Sequence, residues 1–175
     1  MKQCHEKIIF FTLRAMPFFT NAQSQKTPCN TNPSYRQLDF WIGEWDVYGL
    51  NGKKAGDSKI EMILDSCIIL ENYKTANGNY SGKSFNTYNV TTKQWQQTWV
   101  DNVGGTLEYL EGRYENNQMT FLTKPFNFSK DTIAIRKLSF YNLASDKVRQ
   151  HFEITKDNGV TWKTEYDLEY RRRKP

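Results

Sequence analysis

Short segments in which polar and apolar residues alternate follow one another from residue 44 to the end of the chain. This period of two is typical of β-strands that bury one face. Tight-turn sequences separate the segments, among them Asn51-Gly52, Asn77-Gly78 and Asp157-Asn158-Gly159. Apart from one short stretch before the first strand, no helical pattern of any length appears. The sequence therefore predicts an all-β fold, an up-and-down antiparallel β-barrel of about 8–10 strands joined by hairpins.

The stretch before the first strand predicts one short helix at the N-terminal side of the barrel. Ser34 and Gln37 have the spacing of a capping box, and Gly43 supplies the stop. The apolar residues between them fall on one face at helical spacing; Trp41 is one of these, and Trp45 follows on the first strand. A short helix with two tryptophans, leading directly into a strand, predicts a plug that closes one end of the barrel. An ordinary core helix beside a sheet is the alternative.

The N-terminal region predicts export. Lys2 and Lys7 precede an apolar run at residues 8–13, and residues 20–22 offer a cleavage site. The boundaries that we expect are 1–22 for a signal peptide, 23–33 for a polar tether and 34–173 for the β-barrel domain. This organisation predicts a secreted or periplasmic protein, and an apolar leader on a cytosolic protein is the alternative. No segment is long and apolar enough to be a transmembrane helix.

Cysteine usage agrees with export. Once Cys4 leaves with the leader, Cys29 and Cys67 remain as a pair, and we expect them to form a disulfide between the N-terminal segment and the barrel wall. Two unrelated thiols are the alternative. The chain has two histidines, and His5 lies in the leader. A metal site with several histidine ligands is therefore excluded, and no metal-ligand spacing is present.

The charge distribution argues against nucleic acid as a partner. The formal net charge is +5, but residues 1–22 and the tail Arg171–Lys174 together carry a larger positive charge than this. The body of the chain between them is close to neutral. A nucleic-acid-binding domain needs basic residues spread over a binding face, so the high pI reflects the two ends of the chain.

Strand parity predicts which polar side chains enter the barrel lumen. The expected lumen residues share inward parity with large apolar neighbours: Glu71, Trp95, Gln97, Trp99, Asp101, Arg136, Gln150 and Tyr166. Because an unpaired buried charge is costly, we expect Arg136 to pair with Glu71 or Asp101. Two isoleucines of opposite parity just before Arg136 predict a β-bulge there. His151 has outward parity.

This lining has three interpretations. The first is a ligand-binding site for a small hydrophobic or amphipathic molecule, with no cofactor indicated. The second is an enzyme in which Asp101 or Glu71 acts as a base and Arg136 stabilises an anion. The third is a scaffold in which the polar groups only satisfy one another. An open lumen would separate the first two from the third, and a carboxyl group with a near-neutral pKa would favour the enzyme.

Three motifs carry a resemblance to a known family. Asp39–Val47, the segment 87–101 with its Thr98-Trp99-Val100-Asp101, and the closing Gly159–Trp162 with Tyr170-Arg171-Arg172 resemble an uncharacterised bacterial family of exported lipocalin-like barrels. The resemblance covers about residues 34 to 173 and implies a calycin-type barrel without an established activity. The opening is more distantly similar to fatty-acid-binding and nitrobindin-type barrels. Nitrobindin-like proteins hold haem through a histidine near the C-terminal end, where this chain has only the outward-facing His151.

Overall fold

The computed structural model describes residues 27–174, which form eleven β-strands and three short helical turns. The strands are β1 Gly43–Gly49, β2 Lys54–Ile63, β3 Ile68–Thr75, β4 Ser81–Asn89, β5 Gln94–Asp101, β6 Thr106–Glu115, β7 Gln118–Leu122, β8 Phe126–Ser129, β9 Thr132–Ala144, β10 Lys147–Thr155 and β11 Lys163–Arg172. Ten of them close into one antiparallel barrel, since β1 pairs with β11 and β9 pairs with both β7 and β10. The predicted up-and-down barrel is confirmed.

β8 lies outside the closed barrel. In the described chain it pairs only with β9, through Thr132–Ala134, whereas β7 pairs with β9 at Lys137–Tyr141. The β8–β9 hairpin therefore extends the barrel wall at the end where β1 runs into β2. We call this end, formed by the β1–β2, β3–β4, β5–β6, β7–β9 and β10–β11 connections, the rim.

The other end of the barrel is closed by the helical segment. An α-helical turn spans Pro28–Thr31, and two 3-10 turns span Pro33–Arg36 and Asp39–Trp41. The short helix predicted at this place is thus present, but the side chain of Asn32 caps it by accepting a hydrogen bond from the Ser34 N–H at 2.9 Å. The expected capping box of Ser34 does not form, because the turn begins at Pro33, two residues earlier than a helix capped by Ser34 would, and Ser34 lies inside it.

Trp41 and Trp45 seal the closed end. Both side chains are fully buried, and Trp45 Nε1 donates a hydrogen bond to Trp41 O at 2.7 Å. The guanidinium of Arg172 lies 4.2 Å from the centre of the Trp45 ring and donates to the carbonyl oxygens of Ile42 and Ser145. The last residues of β11 are therefore built into the closed end.

The predicted disulfide is confirmed. Cys29 and Cys67 are bonded, with their Cα atoms 4.9 Å apart. Cys67 lies in the β2–β3 turn at the closed end, so the bond attaches the first helical turn to the barrel wall. The proposed signal peptide at 1–22 lies outside the described residues. Within 27–174, no helix has the length and apolar character required to cross a membrane.

The closed half of the barrel is filled by apolar side chains. Large buried residues from the strands pack against the two tryptophans, including Trp95, Met119, Phe121, Phe140 and Val148. Trp41 and Phe140 are in close contact, with ring centres 4.3 Å apart. Because these side chains fill the half of the lumen next to the helical segment, the open part lies in the half near the rim.

The inward face of β11 changes side near its start. Phe152 pairs with Tyr166 and Glu153 with Thr164, so Glu165 is the extra residue of a β-bulge. Thr164 accordingly contacts His151 on the outer face, and Lys137 lies over the Trp162 ring. No bulge is present at Arg136, where β9 and β10 pair without interruption. Ile133 is exposed, so no bulge is needed to turn it into the lumen.

Candidate functional site

A cavity of about 480 Å³ occupies the half of the lumen near the rim. Its wall includes seven of the eight predicted lumen residues: Glu71, Gln97, Trp99, Asp101, Arg136, Gln150 and Tyr166. The eighth, Trp95, does not reach the cavity. It lies closer to the closed end on β5, is 2% exposed, and donates from Nε1 to Gln37 Oε1 at 2.9 Å. Trp95 has the correct parity, but it sits at the level where side chains fill the barrel.

Glu71 forms part of the floor of this cavity and is 2% exposed. Its Oε1 accepts hydrogen bonds from Ser58 Oγ at 2.9 Å and Tyr170 Oη at 3.1 Å, and its Oε2 accepts one from Ser84 Oγ at 3.0 Å. The three hydroxyl groups come from β2, β11 and β4. None of the described basic side chains hydrogen-bonds to or forms an ion pair with Glu71, so the protein surrounds this carboxyl group with neutral donors.

Burial raises the pKa of Glu71 from 4.5 to about 7, and the three hydroxyl hydrogen bonds lower it in part. The proton count around Tyr170 agrees with a neutral carboxyl group. The Tyr170 hydroxyl lies 3.1 Å from both Glu71 Oε1 and Gln150 Oε1, and it has one proton to donate. If Glu71 carries a proton on Oε1, it donates to Tyr170, which then donates to Gln150.

The hydrogen bonds of Glu71 extend into a buried belt around the lumen. Gln97 Nε2 donates to Asn86 Oδ1 at 2.7 Å, and Asn86 Nδ2 donates to Ser84 Oγ at 3.0 Å. The predicted lumen residues Glu71, Gln97 and Gln150 thus belong to one network. Their partners Ser58, Ser84, Asn86 and Tyr170 were not predicted as site residues. The available signal was a small polar residue at inward parity, as at Ser58 beside Ile60.

Polar atoms of the belt still face the cavity without a protein partner. Among the described residues, Gln97 Oε1 and Gln150 Nε2 have no hydrogen bond, since each amide uses only its other atom. The hydroxyl groups of Tyr109 and Tyr166 also line the cavity without a protein hydrogen bond in this part of the chain. Burial raises the pKa of both phenols, which keeps them neutral. The floor therefore offers both donors and acceptors.

Aromatic rings make up much of the cavity wall. Tyr166 and Phe152 have ring centres 4.6 Å apart, and Phe152 also contacts Tyr109 edge-on. On the opposite side, Trp99 packs between Tyr73 and Tyr80. Tyr166 is 38% exposed and its free surface faces the lumen. The wall offers flat apolar surfaces to a ring-containing molecule.

Asp101 is hydrogen-bonded to residues at the rim and is not a free carboxylate in the lumen. Its carboxylate accepts hydrogen bonds from the N–H groups of Gly105 at 2.7 Å and Val103 at 3.1 Å, and from the Tyr80 hydroxyl at 3.0 Å. The Gly105 hydrogen bond is the largest cause of its lowered pKa. Asp101 therefore holds the β5–β6 turn and is a poor base near neutral pH.

The expected pairing of Arg136 with Glu71 or Asp101 is wrong. Arg136 Nε pairs with Glu165 Oε2 at 3.0 Å, and its guanidinium lies over the rings of Phe126 and Phe152. Glu165 reaches Arg136 because the β11 bulge turns it towards the rim. Arg136 still lines the cavity, but its charge is balanced at the rim and not at the floor.

His151 lies on the outer face of β10, as its parity predicts. Its Nε2 is 2.9 Å from Thr164 Oγ1 and its Nδ1 is 3.4 Å from Glu153 Oε2, both outside the lumen. His151 therefore presents no nitrogen to the cavity that could ligate a haem iron. Across residues 27–174, no group of three or more His, Cys, Asp or Glu side chains is arranged to hold a metal ion.

A comparison with protein-family models matches most of the described chain. The family described as "Protein of unknown function (DUF1579)" matches residues 36–172. The chain belongs to this family. The match begins in the helical segment and ends at Arg172, so the DUF1579 region contains every strand of the barrel. A search of curated proteins finds no match.

Proposed function

We propose that this DUF1579 protein binds a small, partly apolar molecule in the lumen of a lipocalin-like, calycin-type barrel. The observation that carries the proposal is the cavity of about 480 Å³ with aromatic walls and with polar atoms that have no partner among residues 27–174. Binding sites for small molecules combine a concave, mostly apolar surface with a few polar groups that orient the ligand. The open volume supports this function over a scaffold with a filled interior.

The disulfide supports a secreted or periplasmic location for this activity. Disulfides persist in oxidising compartments and are rare in the cytosol. The bond between Cys29 and Cys67 anchors the segment that follows the proposed signal peptide. A ligand-binding barrel in such a location would capture molecules outside the cytoplasm.

A neutral apolar fluorophore tests the lumen directly. N-phenyl-1-naphthylamine emits strongly in apolar surroundings, and we expect one molecule to bind per chain. Leu168→Trp adds a large ring to the cavity wall and should weaken binding at least about tenfold. Leu143→Trp is the matched control, because Leu143 is exposed. Equal binding by both variants and the unaltered protein would place the fluorophore outside the lumen and contradict the proposal.

The protein purified from its own host provides a second test. Native mass spectrometry should detect a retained molecule in the unaltered protein, and Leu168→Trp should lose it while Leu143→Trp keeps it. Retention by the Leu168→Trp protein would show that the molecule does not occupy the lumen.

One observation favours an enzyme as a second candidate. The pKa of Glu71 is raised to about 7, which suits a general acid or base near neutral pH. Asp101 has a lowered pKa and is held by the turn, so Glu71 is the one of the two predicted bases that retains this function. Binding remains the first proposal because all three Glu71 hydrogen bonds are made by hydroxyl groups of the barrel wall.

The base can be tested with 5-nitrobenzisoxazole, a planar apolar probe. Loss of its C3 proton to a carboxylate forms the nitrile, breaks the N–O bond and releases a coloured phenolate. We expect the rate to rise with pH through about 7 and to vanish in Glu71→Gln. Glu108→Gln, which removes an exposed carboxylate on the outer face of β6, should react like the unaltered protein. A rate unaffected by Glu71→Gln would remove Glu71 as the base.

A further inference from the structure

We infer that the molecule bound in the lumen carries a protonated amine and that Glu71 receives it. This inference rests on the proposed ligand-binding function and specifies the class of ligand. It follows from the charge, the hydrogen-bond count and the ring surfaces at the floor of the cavity.

Glu71 has no positively charged partner among the described residues. Every group that faces the carboxyl is neutral at pH 7: the hydroxyls of Ser58 on β2 and Ser84 on β4, the amide of Gln150 on β10, and the phenols of Tyr73, Tyr166 and Tyr170. Arg136 is paired with Glu165 at the rim. Burial without a positive partner disfavours the ionised form of Glu71, and a cationic ligand would supply the charge that this form lacks.

The second argument is the hydrogen-bond capacity of the floor. A carboxylate offers about four acceptor positions, and the barrel wall fills three of them in Glu71. Oε2 accepts only the Ser84 hydrogen bond, so one position remains on it. Gln97 Oε1 is a second acceptor without a partner in the described chain. An ammonium group has three N–H donors, which are the kind of partner that both acceptors lack.

The third argument is the aromatic wall. The rings of Tyr73, Trp99, Tyr109, Phe152 and Tyr166 line the same cavity as Glu71. Aromatic faces attract cations, and they also provide the apolar surface that the rest of the ligand needs. An anionic ligand is disfavoured, because it would approach a carboxyl group without a positive charge beside it at the floor.

Binding of the amine is coupled to release of the Glu71 proton. Near neutral pH the amine arrives as an ammonium ion and the empty site holds a neutral carboxyl group for part of the time. Formation of the ion pair therefore releases the carboxyl proton to solvent. The Tyr170 hydroxyl, which donates to Gln150 while Glu71 is protonated, then donates to the Glu71 carboxylate.

Three indoles of similar size and different charge test this inference: tryptamine as the cation, tryptophol as the neutral alcohol and indole-3-propionate as the anion. Isothermal titration calorimetry on the unaltered protein should rank tryptamine tightest. Its affinity should rise about tenfold between pH 6 and pH 8, as Glu71 loses its proton. Titrations in buffers of different ionisation enthalpy should show proton release at pH 6. Tryptophol should bind with little dependence on pH.

Glu71→Gln should lower tryptamine affinity at least about tenfold at pH 8 and abolish its pH dependence, with tryptophol affinity changed less than about twofold. Glu108→Gln, an exposed carboxylate on the outer face of β6, is the matched control and should retain the pH dependence. If Glu71→Gln does not fold, the charge series and proton release on the unaltered protein decide the question.

The inference is overturned if tryptophol or indole-3-propionate binds as tightly as tryptamine at pH 8, or if tryptamine does not bind at all. The proposed function survives either result when N-phenyl-1-naphthylamine binds and Leu168→Trp excludes it. Failure of that fluorophore and all three indoles to bind would overturn both.

Discussion

Glu71 shows how a single residue couples the stability of this barrel to pH. The folded protein raises the pKa of Glu71 from 4.5 to about 7, because the carboxyl group is buried without a basic partner among the described residues. A raised carboxyl pKa stabilises the fold where the group is neutral in both states. That contribution is complete below pH 4.5 and is lost as the pH rises through about 7.

Glu71→Gln should remove this pH dependence, because an amide stays neutral at every pH tested. We expect the free energy of unfolding of the unaltered protein to fall between pH 5 and pH 8, relative to Glu71→Gln, by about 3 kcal/mol at most. Urea unfolding of both proteins across this range measures the difference. Glu108→Gln, on the outer face of β6, should follow the unaltered protein, and parallel curves for the unaltered protein and Glu71→Gln would show that folding does not raise the pKa of Glu71.

At the scale of elements, the end of β11 has a role that its composition hides. The run of arginines from Arg171 reads as a solvated tail, yet two of them contact the closed end of the barrel. Arg172 lies over Trp45, and Arg173 pairs with Asp46 and Asp57. Gly43 has a φ of 138°, and a Cβ atom there would collide with the Arg172 guanidinium. The lack of a side chain at Gly43, where β1 begins, therefore leaves room for the Arg172 side chain at the end of β11.

Arg172→Met should destabilise the protein by roughly 1–3 kcal/mol, because it removes the cation from the Trp45 ring and leaves the Ile42 and Ser145 carbonyl groups without this donor. Arg171→Met is the matched control. Arg171 lies on the exposed side with Glu169 and Tyr48, where a surface pair contributes about 1 kcal/mol or less. Thermal unfolding measures both, and equal losses would mean that Arg172 does not seal the barrel.

At the scale of the whole molecule, the sheet closes around a lumen that has a filled half and an open half. Pairing of β1 with β11 leaves no open edge between the first and last strands of the barrel. The helical segment and the large aromatic residues fill one half, and the cavity occupies the other. A ten-stranded barrel is wide enough for this division, since about eight strands are already able to enclose a small ligand. The polar belt around Glu71 lies at the boundary.

The disulfide joins the element and molecular scales. It holds the first helical turn against the β2–β3 turn, beside the plug formed by Leu38 and Trp41. The N-terminal segment is thereby part of the closed end. The cavity is therefore reached from the rim, where Arg136 and Asp101 lie at its edge.

The sequence by itself determined the strands and most of their inward faces. Alternation is a local property of the chain, because successive side chains point to opposite sides of a strand. It was therefore sufficient to place Gln97, Trp99, Gln150 and Tyr166 on the lumen side and His151 on the outer side. The pairing of Cys29 with Cys67 was also accessible, since these are the two cysteines outside the proposed leader.

Only the tertiary structure decided depth and partners. Parity does not specify how far along the barrel a residue lies, because depth depends on the stagger between neighbouring strands. This is why Trp95 falls in the filled half while Trp99 lines the cavity. Partners depend on the same stagger and on the β11 bulge, which brings Glu165 to Arg136. Glu71 consequently meets hydroxyl groups from three other strands and none of the arginines in the described chain, and this arrangement gives the floor of the lumen its chemistry.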